Sequence, residues 1–348
     1  MPNMKRTRVA ALQIAFTYMG TVVGAGFATG QEILQFFTRY GTAAAVTIAV
    51  ASFLFVKLGT KLMLLAHDRR TASFEQLNGY LFGERAGLLI SWFLMIVLFG
   101  VTSVMLAGAG SVFMEHFGLP YQAGLVFTLL LTLLILRRGM NAILEVNSFV
   151  VPMMILFTLV IVGMTVLSPG AGQWMKLSSD APLWRVFLSP FIYTAFNLAL
   201  AQAVLVPIGA EMKDRRAIEL GGMLGGIGIG FMLLSGHIAL SAQMPGVEQY
   251  EIPMGMLVHP LGKWLQLSYV LLIFCEIFTT FIANVYGLTR QLGSRLRMDP
   301  PLLTLLVLIG CFAVSQLGFS MLLGTLYPLF GVVSMGWLAM LIARKQPA

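Results

Sequence analysis

The chain has 348 residues, of which 58% are hydrophobic and only 10% are charged, with 22 Lys and Arg against 14 Asp and Glu. Soluble domains carry about 25% charged residues, so this composition excludes a soluble globular protein and predicts a chain that crosses a membrane several times. The net positive charge does not indicate nucleic-acid binding, because the basic residues lie mainly in the connections between apolar segments.

Ten apolar segments have roughly the 17–25 residues that a membrane-spanning helix requires, or more. They cover residues 8–38, 41–66, 85–114, 120–136, 144–168, 184–211, 217–243, 262–292, 301–317 and 320–343. The chain has no Walker motif, HExxH, GxSxG or Cys/His cluster. The sequence therefore predicts an all-α membrane protein with ten transmembrane helices, without enzymatic activity and without a cofactor.

The basic residues predict the orientation of these spans. Of the 22 Lys and Arg residues, 18 fall at the termini and in alternate connections, and four fall on the other side. Cytoplasmic loops concentrate Lys and Arg. Both termini are therefore predicted to be cytoplasmic, in a multi-pass protein of the cell membrane.

The first span contains four glycines, Gly20, Gly24, Gly26 and Gly30, within the run GTVVGAGFATGQE. Each glycine weakens a helix by about 0.5–1 kcal/mol relative to alanine. An unwound turn survives in a bilayer only beside protein, water or a ligand, and interrupted helices of this kind form the binding sites of transporters. We predict that this helix breaks at mid-membrane, although a glycine-rich packing face would have the same composition.

The two halves of the chain have a similar pattern. Adding about 176 to the second and third spans gives the seventh and eighth, and Pro152 corresponds to Pro328. Five spans followed by five reverse the orientation of the second copy, which predicts an inverted 5+5 repeat of residues 1–170 and 171–348. The sixth span then corresponds to the first and is also predicted to break, between Pro190 and Pro207. A kinked helix whose polar side chains bond to a neighbour is the alternative.

Glu276 lies in the middle of the eighth span, where an isolated acid costs at least about 2.5–3.5 kcal/mol and indicates a functional residue. Thr279 and Thr280 share its helical face, and Asn284 continues it by one turn. Hydroxyl and carbonyl oxygens suit Na⁺. The alternative is a protonated Glu276 inside the bundle, with both threonines bonded to carbonyls of their own helix.

Three other polar residues are weaker candidates. Glu32 follows the break in span one, where it either takes part in gating or stabilises the start of the next helical segment. A lone histidine such as His237 is more often a hydrogen-bonded residue of the helix bundle than a proton relay. Glu211 is best explained by a salt bridge at the membrane interface, beside the cytoplasmic charges. The run GGMLGGIGIG predicts tight helix packing, since no strand precedes it and no Lys-Ser/Thr follows it.

The run GTVVGAG of residues 20–26 resembles the unwound first helix of the neurotransmitter:sodium symporters and their amino-acid-polyamine-organocation relatives, and EIFTT of residues 276–280 is similar to their eighth helix. Taken as a whole, the sequence most resembles short bacterial permeases of the YkvI-like group. The resemblance implies a Na⁺ site made by the carbonyls of Gly20, Val23 and Glu276 and the hydroxyls of Thr279 and Thr280.

The resemblance also implies a substrate between the two breaks. Its carboxylate would meet the amides of Ala25, Gly26 and Phe27, and its amine would meet carbonyls near Tyr193, Thr194 and Phe196. Thr102 is a candidate wall residue, and Thr21 and Asn197 are further candidates for substrate contact. Glu32, Glu276 and Asn284 are the candidates for gating and coupling.

The chain departs from the resembled families in ways that bear on function. Many of those symporters have twelve spans. Some relatives have an asparagine on helix one that serves a second Na⁺, whereas Phe27 and Ala28 stand in that region here, which favours a single Na⁺. Residues 144–168 contain no Lys or Arg, whereas proton-coupled relatives have a lysine on helix five. The sequence predicts Na⁺-coupled symport of a small amino acid or related zwitterion. Proton coupling through Glu276 and a non-transporting amino-acid sensor are the alternatives.

Overall fold

The computed structural model describes residues 2–71, 73–136, 141–296 and 298–344. Within these ranges the chain forms fifteen α-helices joined by turns and short 3₁₀ segments. The helices are α1 (Pro2–Val22), α2 (Ala25–Thr29), α3 (Gln31–Phe36), α4 (Ala43–Leu54), α5 (Thr60–Arg69), α6 (Phe74–Phe82), α7 (Glu84–Phe117), α8 (Tyr121–Leu136), α9 (Asn141–Val166), α10 (Leu183–Glu211), α11 (Arg215–Ser241), α12 (Pro253–Leu257), α13 (Lys263–Leu296), α14 (Pro300–Ser315) and α15 (Phe319–Ala343).

Six helical segments in the described part of the chain are long and apolar enough to cross a membrane. They are Ala43–Arg69, Glu84–Phe117, Leu183–Glu211, Arg215–Ser241, Lys263–Gly293 and Phe319–Ala343. Three shorter apolar helices coincide with predicted spans four, five and nine, and the interrupted run α1–α3 coincides with span one. The structure is therefore a helical membrane protein, while the count of ten spans and the inverted repeat stay predictions.

Polar contacts connect the loops at each end of the bundle. At one end, Thr7 Oγ1 donates to Asp214 (2.6 Å), which lowers the pKa of that carboxyl, and Arg215 pairs with Asp68 (2.6 Å). At the other end, the Thr42 amide donates to the Leu177 carbonyl (2.9 Å). Thr7 therefore lies at the end that the charge pattern predicts to be cytoplasmic. We call this end the inner end and the opposite one the outer end.

The glycine-rich helix α11 packs closely on both sides, as its spacing predicts. A Cβ at Gly221 would lie 2.6 Å from Ile14 Cβ, and one at Gly225 would lie 2.6 Å from the Tyr18 ring. On its other face, a Cβ at Gly226 would lie 2.5 Å from the Val56 amide. Small residues thus let α1 and the second span approach α11 at backbone distance.

The second span contains a π-helical turn at Phe55–Gly59 between α4 and α5. A π turn displaces one carbonyl from the regular helical pattern. The Tyr18 hydroxyl of α1 donates to the Phe55 carbonyl (2.9 Å), so a buried side chain of the first span occupies that acceptor.

The predicted break in the sixth span is wrong. Helix α10 is continuous from Leu183 to Glu211 and contains both Pro190 and Pro207. Each proline removes one amide donor, but its fixed φ is compatible with a helix. Two of the polar side chains between them bond within α10, since Asn197 Nδ2 donates to the Tyr193 carbonyl (3.0 Å) and Gln202 Nε2 to the Ala199 carbonyl (2.8 Å).

Candidate functional site

The first span is interrupted twice. Helix α1 ends at Val22, Gly24 is extended (φ −100°, ψ −168°), and α2 begins at Ala25. Gly30 then adopts the left-handed conformation with φ +86°, which ends α2 and starts α3. Residues with a side chain disfavour the left-handed conformation of Gly30, because that conformation brings Cβ close to the following carbonyl oxygen. The predicted unwinding of this span is therefore present in the structure.

The interruption frees peptide groups inside the bundle. The Gly24 amide donates to the Val22 carbonyl (3.0 Å) instead of the Gly20 carbonyl, which loses its regular helical partner. The first backbone bond of α2 runs from the Ala28 amide to the Gly24 carbonyl (2.9 Å), so the amides of Ala25, Gly26 and Phe27 precede it. These carbonyl and amide groups are the ones that the resemblance assigns to an ion and a substrate.

Glu32 lies in the first turn of α3 with 4% of its surface exposed. The Tyr193 hydroxyl of α10 donates to Glu32 Oε2 (3.2 Å). The side chain also folds back over α2, because a Cβ at Gly26 would overlap Glu32 Oε1. Glu32 therefore connects the interrupted first span to α10 through a buried hydrogen bond.

Aromatic rings surround this hydrogen bond. The Tyr193 ring lies 5.2 Å from Phe36 and 5.0 Å from Phe37, both centroid to centroid. Phe196, one turn further along α10, lies 4.4 Å from the ring of Tyr327 on α15. Tyr193 and Tyr327 are fully or almost fully buried. The hydrogen-bond partner of Glu32 is thus packed against aromatic rings of the first span.

The candidate substrate residues differ in the state of their polar groups. Thr194 Oγ1 is buried without a hydrogen-bond partner among the described residues, and Asn197 bonds to its own helix. Thr102 is buried in α7 and donates to the Leu98 carbonyl (2.6 Å), and Thr21 donates to the Thr17 carbonyl (2.7 Å). Thr194 is therefore the hydroxyl of this set that is left free to bind another group.

Helix α13 runs beside α2, the short helix that follows the break. Its Tyr269 hydroxyl lies 3.5 Å from the Ala28 carbonyl of α2, and the two segments run in opposite directions. Glu276 lies two turns, about 10 Å, further towards the inner end on the same face. An equal distance back along the first span from Ala28 reaches Gly24, whose backbone is extended and rises about 3.3 Å per residue, and Val23 before it.

Two oxygen atoms on this face of α13 are close together. Thr279 Oγ1 donates to the Glu276 carbonyl (3.2 Å). A threonine that binds no ion is expected to form this bond within its own helix. The bond also places the two oxygens next to each other. Glu276 has 4% of its surface exposed, and its Oε2 has no partner among the described residues. Thr280 and Asn284 are partly buried further along the helix.

The outer loop of residues 242–262 is fixed to both α7 and the first span. The Glu115 carboxylate accepts the amides of Glu251 (2.7 Å) and Ile252 (2.9 Å), and Ser111 donates to Glu251 Oε2. Gln31 Nε2 donates to the Tyr250 carbonyl (3.1 Å). This loop therefore covers the outer end of α2 and α3.

His237 and Glu211 lie away from these groups. His237 Nδ1 is 3.2 Å from Thr38 Oγ1, at the outer end of the first span. Glu211 is exposed at the end of α10, and the ion pairs of the described residues at this end of the bundle join Arg215 to Asp68 and Glu219. These positions do not bring either side chain into contact with Glu32 or Glu276.

Sequence reasoning missed Tyr327, Gln31 and Glu115. Tyr327 directly precedes Pro328, the proline of the predicted tenth span, but nothing in the sequence indicated its contact with Phe196. Gln31 directly precedes Glu32 and bonds to Ser320 Oγ (2.8 Å) as well as to Tyr250. The contacts of Glu115 had no signal in the sequence.

No protein-family model matches the chain. It is 40% identical over 347 residues to the uncharacterized membrane protein YkvI of Bacillus subtilis (strain 168), covering 99% of each chain. It is 24% identical over 336 residues to the uncharacterized protein YyaD of the same organism, covering 96% of each. The similarity to both relatives extends over nearly the whole chain.

Among solved structures, the inward-facing conformation of Mhp1 matches with a TM-score of 0.70 at 14% identity, covering 93% of this chain and 73% of Mhp1. A closed conformation of Mhp1, a nucleobase-cation-symport-1 family transporter with bromovinylhydantoin bound, matches with a TM-score of 0.61 at 14% identity, covering 95% and 77%. An Eremococcus coleocola manganese transporter, in complex with an aromatic bis-isothiourea substituted compound, matches with a TM-score of 0.59 at 13% identity, covering 97% and 79%. The TM-scores show a shared fold, and at identities this low the similarity shows the fold alone.

Proposed function

The chain belongs to the family of the membrane protein YkvI, and we propose that it is a secondary active transporter of a small amino acid or related amine, driven by Na⁺. The observation that carries this proposal is the break of the first span at Val23 and Gly24, next to which α2 contacts α13 through Ala28 and Tyr269. The fold shared with Mhp1 supports it.

The proposed Na⁺ site uses oxygen atoms from both segments. Its ligands are the carbonyls of Gly20, Val23 and Glu276 and the hydroxyls of Thr279 and Thr280. Hard cations prefer such oxygens. The lost helical partner of Gly20 and the adjacent oxygens of Glu276 and Thr279 support this assignment.

An ion in this site would join the first span to α13. It would shift the balance between the outward-open and inward-open states by its difference in affinity for the two. The substrate would bind between the broken span and α10, near the amides of Ala25, Gly26 and Phe27 and the side chain of Thr194.

A sodium gradient across liposomes containing the purified protein tests the proposal. We expect uptake to follow the gradient in the wild type and to lose its dependence on Na⁺ in the Thr279→Ala/Thr280→Ala variant. The matched control is Thr128→Ala/Thr132→Ala, since both threonines are buried in α8 and bond to carbonyls of their own helix (2.8 and 2.7 Å). Unchanged Na⁺-driven uptake in the first variant would contradict the ion site.

Glu276 favours a second candidate function, transport driven by protons. A buried carboxyl oxygen without a partner needs either a cation or a proton. Uptake that follows a pH gradient without Na⁺, and that stops in Glu276→Gln, would favour this candidate. Saturable binding of a solute with no flux under either gradient would instead indicate a sensor and contradict transport.

A further inference from the structure

Glu32 is a buried acid that the proposed Na⁺ site does not use. Its carboxylate forms no ion pair with a Lys, Arg or His among the described residues, where the ion pairs join Arg39 to Glu248 and Arg215 to Asp68 and Glu219. A buried ion without a partner costs several kcal/mol. One hydrogen bond from a neutral phenol, that of Tyr193, does not supply the missing positive charge.

The position of this carboxylate matters for the substrate. Glu32 Oε1 lies over Gly26, close enough that a methyl group on Gly26 would overlap it. Gly26 is one of the residues whose amides would receive the carboxylate of an amino acid under the resemblance. A second carboxylate placed there would meet the charge of Glu32, and like charges brought together cost several kcal/mol. The protein therefore already supplies a carboxylate at this point.

The surroundings of Glu32 suit a positively charged group. Tyr193 holds the carboxylate and is itself enclosed by Phe36 and Phe37, at 5.2 and 5.0 Å. Three residues further along α10, the Phe196 ring lies 4.4 Å from the ring of Tyr327. Aromatic faces attract ammonium groups and are the usual means of binding quaternary amines. An acid among aromatic rings is thus a site for an organic cation.

We propose that Glu32 binds the ammonium group of the solute, and that the solute is an organic amine lacking a carboxylate of its own. This inference rests on the proposed function for the location of the site. It restricts the substrate class from amino acids and amines to cationic amines. The competing explanation is that Glu32 only stabilises the start of α3 through the helix dipole, in which case its charge has no effect on which solute binds.

The first test uses pairs of compounds that differ by one group, with thermal unfolding of the purified wild-type protein as the readout. The pairs are phenethylamine with phenylalanine, choline with glycine betaine, and choline with its neutral isostere 3,3-dimethyl-1-butanol. A ligand that binds the folded state raises its apparent stability. We expect at least one amine to raise the unfolding temperature while its carboxylate-bearing and neutral counterparts do not.

The second test measures the affinity of the stabilising amine in variants. Glu32→Gln should weaken binding by roughly tenfold or more, the loss expected for a hydrogen bond to a charged group. Glu32→Asp keeps the charge and should retain more affinity than Glu32→Gln. Glu219→Gln is the control, because it removes an exposed carboxylate at the inner end that pairs with Arg215. If Glu32→Gln does not fold, the comparison of choline with its neutral isostere decides alone.

Three results would overturn the inference. The first is that phenylalanine stabilises the protein as much as phenethylamine does, or betaine as much as choline does. The second is that no amine stabilises the protein, and the third is that Glu32→Gln leaves the affinity for the amine unchanged. These outcomes differ from failure of the proposed function. Amine binding that depends on Glu32 but gives no flux in liposomes would refute transport and leave the inference intact. Flux of amino acids in preference to amines would refute the inference and leave transport intact.

Discussion

The first and sixth spans have similar sequence signals for a break but different structures. The first is interrupted at Gly24 and again at Gly30. The sixth, α10, runs without interruption through Pro190 and Pro207. Both spans contain helix-weakening residues, buried polar side chains and about the same length of apolar sequence. The difference shows that glycine and proline do not predict the same event inside a membrane.

The reason lies in the backbone conformations that the two residues allow. Glycine adopts a positive φ at little cost, and Gly30 uses φ +86° to end one helix and start another. Proline fixes φ near −65°, which is a helical value, and removes a single donor. Side chains then bond within α10, as Asn197 and Gln202 do, so nothing drives the backbone out of the helix.

The largest expected effect on stability comes from Gly30→Ala. The new methyl would occupy a left-handed residue, at about 1–2 kcal/mol, and would lie 2.7 Å from Met254 Cγ, at about 1–3 kcal/mol. We expect a total loss of about 3 kcal/mol in unfolding free energy, measured by denaturation in detergent. Gly118→Ala is the control, because it has φ +65° with no atom near the new methyl and should lose only the backbone contribution. Equal losses in both would show that the Met254 contact is unimportant.

A smaller effect is expected at Gly26, and it separates the two halves of the break. Gly26→Ala should displace the Glu32 carboxylate, at about 2 kcal/mol of overpacking, and should weaken amine binding with it. Gly24→Ala has no atom within 4 Å of the new methyl and an extended backbone that alanine adopts, so its stability should stay within about 0.5 kcal/mol of wild type. Thermal unfolding with and without the amine checks both. Similar behaviour of the two variants would contradict the placement of Glu32 over α2.

The smallest effect is expected in the continuous span. Pro207→Ala restores an amide that can donate to the Ala203 carbonyl, worth about 1 kcal/mol. It also increases the conformational entropy of the unfolded chain, which lowers the unfolding free energy by about 0.4–1 kcal/mol. The net change in unfolding free energy should therefore be within about 0.5 kcal/mol of zero. Denaturation in detergent gives the value. A loss of several kcal/mol would indicate that the proline bend, and not helix continuity, determines how α10 packs.

Local sequence was enough to predict several features. The apolar segments coincide with the observed helices or runs of helices, because a membrane-spanning backbone must satisfy its polar groups within a helix. The glycine spacing of α11 predicted close packing, which the Gly221 and Gly225 contacts with Ile14 and Tyr18 show. The break in the first span was predictable from Gly24 and Gly30, since these residues permit the conformations that they adopt.

The position of Glu32 could not be predicted in this way. Its sequence neighbours suggested a residue at the start of a helix, and only packing brought it to Tyr193, which lies 161 residues away along the chain. The same applies to Glu115 and the loop amides of Glu251 and Ile252. Both carboxylates are at positions whose partners depend on how distant helices meet.

The sequence by itself determined which segments form apolar helices and where a helix is permitted to break, because hydropathy and backbone freedom are properties of single residues and their near neighbours. Tertiary structure alone decided that α10 stays helical and that Glu32 faces α2 and Tyr193. Those outcomes depend on which polar groups find partners once the helices pack, and a buried group's free energy is set by the partners it finds.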